Sequence, residues 1–311
     1  MKKALIVTNP SAARAGGEGL AAARRRLESR GFDVAVEKCG TMGDGARLAS
    51  AALAGGVEVV IAHGGDGTVM DVASGLVGTG APLGLLPGGT GNVLAGNLGV
   101  SRSFVAAADT IVAGATRTID LGRLTTPAGT RYFSINAAAG FAADLMAQTP
   151  QHHKRRYGVA AYVARAIVLA TDLVRAASRV EVDGVVHEGH AATVIVANCG
   201  QIIPGVLPLG AHILPDDGVL DVAVLDADSY ATALRLVWRM FQRRPDADGG
   251  VTFYRGRTVH VSTEPTLPVQ SDGEPFGTTP MSVELLPRAL TVFVPAAAPG
   301  PGFPWSLTSR G

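Results

Sequence analysis

The stretch VEVVIAHGGDGTVMDVASGLV, residues Val57–Val77, decides the fold of this chain. It begins with a short β-branched apolar run, Val57–Ala62, which is typical of a strand buried on both faces of a sheet. His63–Gly67 follows as a turn with three glycines in five positions. Thr68 then opens a helix-patterned segment, with a hydroxyl available to cap its first turn. This order places free backbone N–H groups at the carboxyl edge of a sheet, where phosphate binds well.

Asp66 is the unusual residue of this glycine loop. A carboxylate beside a phosphate is repulsive unless it holds Mg²⁺ or takes a proton from a hydroxyl group. The loop therefore favours phosphoryl transfer over passive binding. The alternative is a turn residue, because Asp tolerates the left-handed backbone geometry that turns require.

A second loop repeats the arrangement one strand and one helix later. The strand-like run Pro82–Pro87 leads into Gly88–Gly91, Asn92 and a helix-patterned segment, Val93–Leu98. Neither loop contains the Gly-Lys-Ser/Thr of a Walker loop, and neither completes GxGxxG in register. Known phosphate fingerprints therefore do not identify the site.

Strand and helix patterns alternate through the first third of the chain. The further strands are Lys3–Thr8 and Val34–Cys39, and the further helices are Gly19–Arg30, Ala46–Leu53 and Ser103–Val112. Such alternation predicts parallel strands, right-handed crossovers and a doubly wound sheet. The turn at Asn9, Thr41 and both glycine loops then fall at the carboxyl edge, where ligands bind in such sheets.

After residue 118 short strands separated by turns replace this pattern, and they predict an antiparallel β-sandwich. Asp183-Gly184 marks a hairpin turn between two of them. Two helices, Tyr157–Ala177 and Tyr230–Phe241, are expected to interrupt the strands. The predicted strands are Thr118–Leu124, Tyr132–Asn136, Arg179–Val182, Val185–His187, Thr193–Asn198, Leu220–Leu225, Val251–Tyr254 and Thr258–Ser262.

The sequence thus predicts an α/β domain over residues 1–120, followed by an all-β sandwich domain over residues 121–295. The sequence leaves open whether the end of the second segment packs back into the first domain. Residues 296–311 are rich in Pro, Ala and Gly, and we expect a flexible tail there.

Composition excludes several classes of protein. A hydrophobic content of 47% with 17% charged residues describes a packed globular chain. The net charge of +1 is too balanced for a dedicated nucleic-acid binder. The most apolar stretch, Tyr157–Ala177, contains three charged residues, which argues against a membrane span. We expect a cytoplasmic protein, at most peripheral at the inner membrane face.

Six motifs, in this order, resemble the diacylglycerol kinase catalytic-domain family, and in particular the bacterial soluble lipid kinases of the YegS/BmrU type. The resemblance extends from Lys3 to Pro295. GGDGT alone is shared with NAD kinases, whereas the ordered set is specific. The motifs are GGDGT at Gly64–Thr68, LPGGTGN at Leu86–Asn92, IDLG at Ile119–Gly122, NAAAGFAAD at Asn136–Asp144, LPDDGVLDV at Leu214–Val222 and SDGEPFG at Ser271–Gly277.

The resemblance implies a lipid kinase that transfers the γ-phosphate of ATP to the hydroxyl of a diacylglycerol-like lipid at a membrane surface. Catalysis would take place in a cleft between a nucleotide-binding α/β domain and a lipid-binding β-sandwich. The partners implied are ATP, Mg²⁺ and the lipid, with no nucleic acid, and a homodimer is compatible with the sequence. By resemblance, the nucleotide would be held by Asn9, Pro10, Ser11, Thr41, Gly64, Gly65, Asp66, Gly67, Thr68, Gly89, Thr90 and Asn92.

The same resemblance assigns catalytic and metal-binding residues. The DGE segment supplies the acid that takes the proton of the acceptor hydroxyl, with Glu274 as first choice and Asp272 as second, and Asp66 acts beside the phosphates. A structural Mg²⁺ would be bound by the Asp217 carboxylate with main-chain oxygens of Leu214 and Val219. A single carboxylate is reasonable because Mg²⁺ usually keeps several waters.

The chain departs from the family at one position. Relatives often read GTGND or GTAND, whereas Val93 follows Asn92 here. In the family, that acid belongs to a water-linked network with the aspartates that match Asp66 and Asp120, so this chain has two of the three acids of the network. Two rival interpretations stay open: an NAD kinase-like enzyme, and a non-catalytic regulator that binds nucleotide or lipid.

Overall fold

The computed structural model of the chain describes residues 1–11, 17–141, 143, 173–203, 207–209, 213–229, 232, 235 and 250–296. The chain divides into two compact units, one formed by Met1–Asp120 with Pro287–Gly311 and one by Leu121–Leu286. Among the helices of these residues, none combines the length and the apolarity needed to cross a membrane.

The first unit is a parallel sheet flanked by helices, as the alternating pattern predicts. Its strands β1 (Lys2–Thr8), β2 (Phe32–Lys38), β3 (Val59–Gly64) and β4 (Pro82–Pro87) lie in the order β2-β1-β3-β4. Every residue of β3 is buried. The helices are α1 (Gly17–Glu28), α2 (Asp44–Ala54), α3 (Asp66–Ser74), α4 (Val93–Asn97) and α5 (Phe104–Ala113).

The second unit contains two antiparallel sheets, which confirms the predicted β-sandwich. The first sheet includes β5 (Thr116–Thr126), β6 (Gly129–Phe133), β8 (Ala176–Val182), β9 (Val185–Ala191), β15 (Thr258–Glu264) and the beginning of β18 (Met281–Phe293). The second sheet includes β7 (Asn136–Gly140), β10 (Thr193–Ala197), β13 (Leu220–Leu225), β14 (Val251–Gly256), β16 (Pro268–Ser271) and β17 (Glu274–Thr278). A small ribbon pairs β11 (Gln201–Ile203) with β12 (Leu207–Pro208).

One apolar core joins the two sheets of the sandwich. Phe133 and Val259 come from the first sheet, Val194 and Val222 from the second, and all four are buried in one cluster. The alternation of inward and outward side chains along each strand produces this core. The second sheet also buries small residues on its other face, where Ala138 belongs to a separate cluster.

Strand β18 completes the sheet of the first unit with its last residues. Thr291 and Val292 pair in parallel with Pro82 and Leu83 of β4. The sequence analysis did not identify β16, β17 or β18 as strands, because proline and turn residues interrupt their patterns.

The structure differs from the predicted elements at several boundaries. The predicted strand Tyr132–Asn136 is divided into β6 and β7, because the side chain of Asp272 accepts backbone N–H groups at the bend between them. Helix α3 begins at Asp66 rather than Thr68, and no side chain caps it. Residues 144–172 lie outside the described residues; they include the end of the motif Asn136–Asp144 and most of the predicted helix Tyr157–Ala177. Most of the predicted helix Tyr230–Phe241 and the tail after residue 296 also lie outside them.

The end of helix α3 contacts helix α2 closely at a glycine. Gly75 follows α3 with an ordinary φ of −79°, and a Cβ atom there would lie 2.3 Å from the carbonyl oxygen of Ala46. Since that neighbour is backbone, no side-chain rotation can relieve the overlap. Only glycine allows this packing distance.

We therefore expect Gly75→Ala to lower the free energy of unfolding by about 1–3 kcal/mol, as overpacking does. Urea unfolding of the whole chain measures the effect. Gly189→Ala is the matched control, because a Cβ atom there has no neighbour within 4 Å and should leave stability almost unchanged. Equal stability of the two variants would contradict the tight contact.

Candidate active site

The two glycine loops of the first unit are in direct backbone contact. The N–H groups of Gly88 and Gly89 both donate to the carbonyl oxygen of Gly64, at 2.8 and 3.2 Å. A Cβ atom at Gly89 would lie 2.5 Å from the Cα of Gly65. The loops can approach this closely only because position 89 lacks a side chain, and together they form one surface at the carboxyl edge of the sheet.

Asn9 attaches the end of β1 to this surface. Its N–H donates to the carbonyl of His63 at 3.1 Å, and its Nδ2 donates to the hydroxyl of Thr68 at 3.3 Å. Its Oδ1 accepts the N–H of Ser11 at 2.9 Å, which shapes the turn through the exposed Pro10. The structure therefore brings Asn9 and the predicted GGDGT loop together.

Asp66 connects the first loop to the second. Its Oδ1 accepts the N–H of Leu94 in the first turn of α4, at 3.1 Å. Burial raises the pKa of the half-buried Asp66 carboxyl, and the N–H groups of Val93 and Leu94 partly offset that rise. One oxygen of this carboxylate thus already holds the backbone of the second loop.

Asn92 shapes the second loop through its own side chain. It has a left-handed φ of 51°, its Oδ1 accepts the N–H of Gly89 at 2.9 Å, and its Nδ2 donates to the carbonyl of Gly89 at 2.8 Å. These two bonds close the loop and leave Thr90 exposed at its tip. The Thr90 carbonyl accepts a hydrogen bond from Arg102 at 2.9 Å, a cation that the sequence analysis did not select.

Thr41 lies in a turn organised by Asp44. The N–H and hydroxyl of Thr41 donate to the Asp44 carboxylate at 2.9 and 3.0 Å, and the backbone N–H groups of Thr41 and Gly40 lower the pKa of Asp44 to about 2. Asp71 of α3 accepts the N–H groups of Gly43 and Gly45 at 2.9 and 2.8 Å. Asp71 was missed because nothing in the sequence places it near the Thr41 turn.

In the second unit, Asp272 holds the backbone between β6 and β7. It lies with Gly273 in a turn in which both residues have positive φ, 47° and 87°, as a two-residue hairpin requires. Its carboxylate accepts the N–H groups of Ser134, Ile135 and Asn136 at 2.9, 2.9 and 3.0 Å. Both oxygens are therefore occupied by backbone donors, which favours a structural role over proton abstraction.

Gln270 fixes the same turn from the buried side. It is 2% exposed, its Oε1 accepts the N–H of Gly273 at 2.6 Å, and its Nε2 donates to Oδ1 of Asn136 at 2.6 Å. Sequence reasoning did not select Gln270, because Asn136, which it contacts, lies 134 positions away. Gln270 and Asp272 together restrain the residue that follows the turn, Glu274.

Glu274 is the accessible carboxylate of the DGE segment. Its side chain is 52% exposed and forms one ion pair, with Arg131 at 3.4 Å. Arg131 also lies over the ring of Phe276, with the guanidinium carbon 4.6 Å from the ring centroid. An exposed ion pair of this kind contributes little to stability. Of the two candidate bases, Glu274 is the one whose surroundings suit a reversible proton acceptor.

The predicted metal-binding loop contains an ion pair. Asp217 accepts the N–H of Val219 at 3.3 Å and a hydrogen bond from Arg255 at 2.6 Å. Within the ranges that the structure describes, no group of three or more His, Cys, Asp or Glu side chains could hold a metal ion. The Mg²⁺ site with Leu214 and Val219 stays a prediction, and the contacts of Asp217 do not favour it.

Comparisons with known proteins agree with the motifs. Residues 3–124 match the diacylglycerol kinase catalytic domain, and residues 136–294 match the YegS C-terminal NAD kinase beta sandwich-like domain. A diacylglycerol kinase of Mycobacterium tuberculosis is 33% identical over 302 residues, which cover 94% of this chain and 95% of that protein.

Two further matches concern length and fold. An uncharacterized Synechocystis protein is 30% identical over 244 residues, and the match spans 77% of this chain but only 55% of that longer protein. The crystal structure of a putative diacylglycerol kinase from Bacillus anthracis superimposes with a TM-score of 0.79 at 23% identity, covering 96% and 97% of the two chains. The fold is therefore shared with that structure.

His63 provides a test of the first unit. It is fully buried, its Nδ1 lies 2.8 Å from the Thr8 hydroxyl, and its ring packs edge-on against Phe104. Burial lowers the pKa of His63 from 6.5 to about 4. Between these pH values the unfolded chain binds more protons than the folded chain, so the folded state loses stability as the pH falls.

We expect the free energy of unfolding to fall by up to about 3 kcal/mol between pH 7 and pH 4 because of this one residue. Urea unfolding at a series of pH values measures the slope. For His63→Gln, the free energy of unfolding is compared with the value of the same variant at pH 7. It should fall less steeply between pH 7 and pH 4 than that of the wild type. An unchanged slope would mean that His63 is not held neutral by burial.

Proposed function

The chain belongs to the diacylglycerol kinase catalytic-domain family, and we propose that it transfers the γ-phosphate of ATP to the hydroxyl group of a diacylglycerol-like lipid. The observation that carries the proposal is the contact between the two glycine loops. It brings two glycine-rich backbone segments and the start of a helix to one edge of the sheet, and backbone N–H groups in such a position suit polyphosphate.

The nucleotide phosphates would bind at the first turn of α3. The first hydrogen bond of this helix runs from Val69 N–H to the carbonyl of Gly65, so the N–H groups of Asp66, Gly67 and Thr68 precede it and are not used within the helix. The helix dipole favours negative charge at the same place. Asn9, Thr90 and Arg102 border this surface and would hold the rest of the triphosphate.

Mg²⁺ supplies charge neutralisation on the transferring phosphate when it is bound with ATP. The half-buried Asp66 fits this need, since Mg²⁺ at such sites takes one or two carboxylates together with the phosphates. Asp66 has a second task, because it positions the helix that follows the second loop.

The lipid hydroxyl would be activated by Glu274. The oxygen of the lipid hydroxyl attacks the γ-phosphorus, and the bond from that phosphorus to the ADP oxygen breaks. The hydroxyl proton passes to the Glu274 carboxylate. Asp272 and Gln270 keep the turn rigid and so fix where this carboxylate lies. Alignment and electrostatic stabilisation would provide most of the rate.

The reaction requires ATP from the cytoplasm and a lipid from a bilayer. We therefore expect the protein to act from the cytoplasm at the inner face of the membrane. A homodimer stays a prediction, and the chemistry does not need one.

Glu274→Ala should lower turnover by about 10²–10⁴-fold, the usual contribution of a positioned base, with little change in ATP affinity. The measurement is transfer of labelled phosphate from ATP and Mg²⁺ to a panel of lipids in mixed micelles, with NAD as a soluble competitor. Glu284→Ala is the matched control, because Glu284 is also exposed and paired with an arginine, Arg123.

The outcomes separate the rival functions. A labelled lipid that disappears with Glu274→Ala but not with Glu284→Ala supports the proposal and identifies the acceptor. Labelled NAD without labelled lipid would replace it with an NAD kinase. ATP binding without any labelled product would replace it with a regulator.

Asp66 can be tested by comparing two substitutions. Asp66→Asn keeps an oxygen that accepts the Leu94 N–H, whereas Asp66→Ala removes it. Both variants lack the carboxylate that Mg²⁺ would use, so we expect kcat/KM for ATP to fall in both. Because a misplaced loop costs on the order of 10²-fold, the alanine variant should lose about that factor more than the asparagine variant. Equal losses would show that the hydrogen bond to Leu94 does not position the loop.

A further inference from the structure

One guanidinium joins two aspartates in the segment that relatives would use for a metal ion. Nη2 of Arg255 lies 2.6 Å from Oδ2 of Asp217, and Nε of Arg255 lies 3.2 Å from Oδ1 of Asp221. Asp221 of β13 and Arg255 of β14 are direct cross-strand partners. The register of the sheet therefore places this cation opposite the loop.

Asp221 explains why a cation is needed here. Its side chain is only 2% exposed, and an ionised carboxylate that leaves water requires compensation by a positive charge or by several donors. Arg255 supplies the positive charge from a half-exposed side chain that reaches over the strand edge. The sequence analysis selected Asp217 in the motif LPDDGVLDV and did not select Asp221.

A second arginine holds the same loop. Arg257 donates from Nε to the carbonyl oxygen of Gly218 at 3.1 Å, and its own N–H donates to Asp183 at 2.9 Å. The side chain of Arg257 is thus tied to the loop and its backbone to the Asp183-Gly184 turn. Protein groups therefore hold the loop at Asp217 and at the next residue, Gly218.

These contacts do not fit Mg²⁺. The ion needs oxygen ligands in near-octahedral geometry at about 2.0–2.1 Å and gives up its waters reluctantly. The one carboxylate of the proposed site, Asp217, accepts Arg255 on one oxygen and the Val219 N–H on the other. An entering ion would have to displace a cation and then remain beside it.

We propose that the Arg255 guanidinium takes the place of the divalent ion at the loop Leu214–Val219, so that this protein has no structural Mg²⁺ site there. The loop is then held by the ion pairs of Arg255 with Asp217 and Asp221, independently of divalent ions. The proposal concerns only the second unit and does not depend on the proposed catalytic function.

The test is thermal unfolding without nucleotide, in EDTA and in millimolar Mg²⁺. A site filled at 100 times its Kd would raise the Tm by roughly 5 °C or more. We expect no such rise for the wild type. Arg255→Gln should unfold at lower temperature in EDTA and recover in Mg²⁺, whereas Arg255→Lys, which keeps the charge, should remain insensitive to Mg²⁺.

Two controls make the result specific. Arg179→Gln removes another exposed arginine of the second unit, one that pairs with Glu188, and should neither destabilise strongly nor respond to Mg²⁺. A Mn²⁺ titration of the wild type, followed by electron paramagnetic resonance, should detect no ion whose binding depends on Asp217. This measurement decides the question even if Arg255→Gln does not fold.

Two results would overturn the proposal. The first is a rise in the wild-type Tm with Mg²⁺, or Mn²⁺ binding, that Asp217→Asn abolishes. The second is an Arg255→Gln variant as stable in EDTA as the wild type.

Discussion

The close contact of two glycine loops is the constraint on which the first unit depends. The carbonyl oxygen of Gly64 accepts two N–H groups of the second loop, and a Cβ atom at Gly89 would lie 2.5 Å from the Cα of Gly65. The contact requires that β3 and β4 be adjacent and parallel, because only then do both loops leave the sheet at the same edge. The site is thus a consequence of backbone geometry before any side chain contributes.

Carboxylates in this protein often hold backbone rather than ligands. Asp66 accepts from Leu94, Asp71 from Gly43 and Gly45, Asp120 from Arg288, and Asp272 from three successive residues. Hydrogen bonds from N–H groups to an ionised acceptor contribute about 1.5–3 kcal/mol each, enough to fix a turn that propensity alone would leave undecided. An aspartate in a motif can therefore be essential without touching a substrate. Glu274 differs from these residues because its side chain is half exposed and its partner is the side chain of Arg131 rather than backbone.

Charge compensation in the second unit follows the same logic. The buried Asp221 needs a positive neighbour, and the cross-strand register provides Arg255 instead of a bound ion. A covalently attached cation carries no binding equilibrium, so the loop it holds does not depend on the ion concentration of the solution. Gln270 achieves a comparable result with neutral groups, since it satisfies a buried N–H and a buried amide oxygen together. Arg255 lies 38 positions from Asp217 in sequence, whereas Gln270 joins Gly273, three positions away, to Asn136, 134 positions away.

The sequence by itself determined the alternation of strands and helices, the sandwich that follows and the order of the motifs, because these depend on local periodicity and on turn residues. It also predicted that Asn9 and both glycine loops meet at one edge, since parallel strands end on the same side. Only the tertiary structure decided the bend at Ser134–Asn136, the strands β16 to β18, and the partners of Asp66, Asp217 and Asp272. The bend at Ser134, the contact of Asp66 with Leu94 and the contact of Asp217 with Arg255 each join residues 28 to 138 positions apart. No local pattern encodes such a contact, and it forms only when the packing of the sheets brings its two groups together.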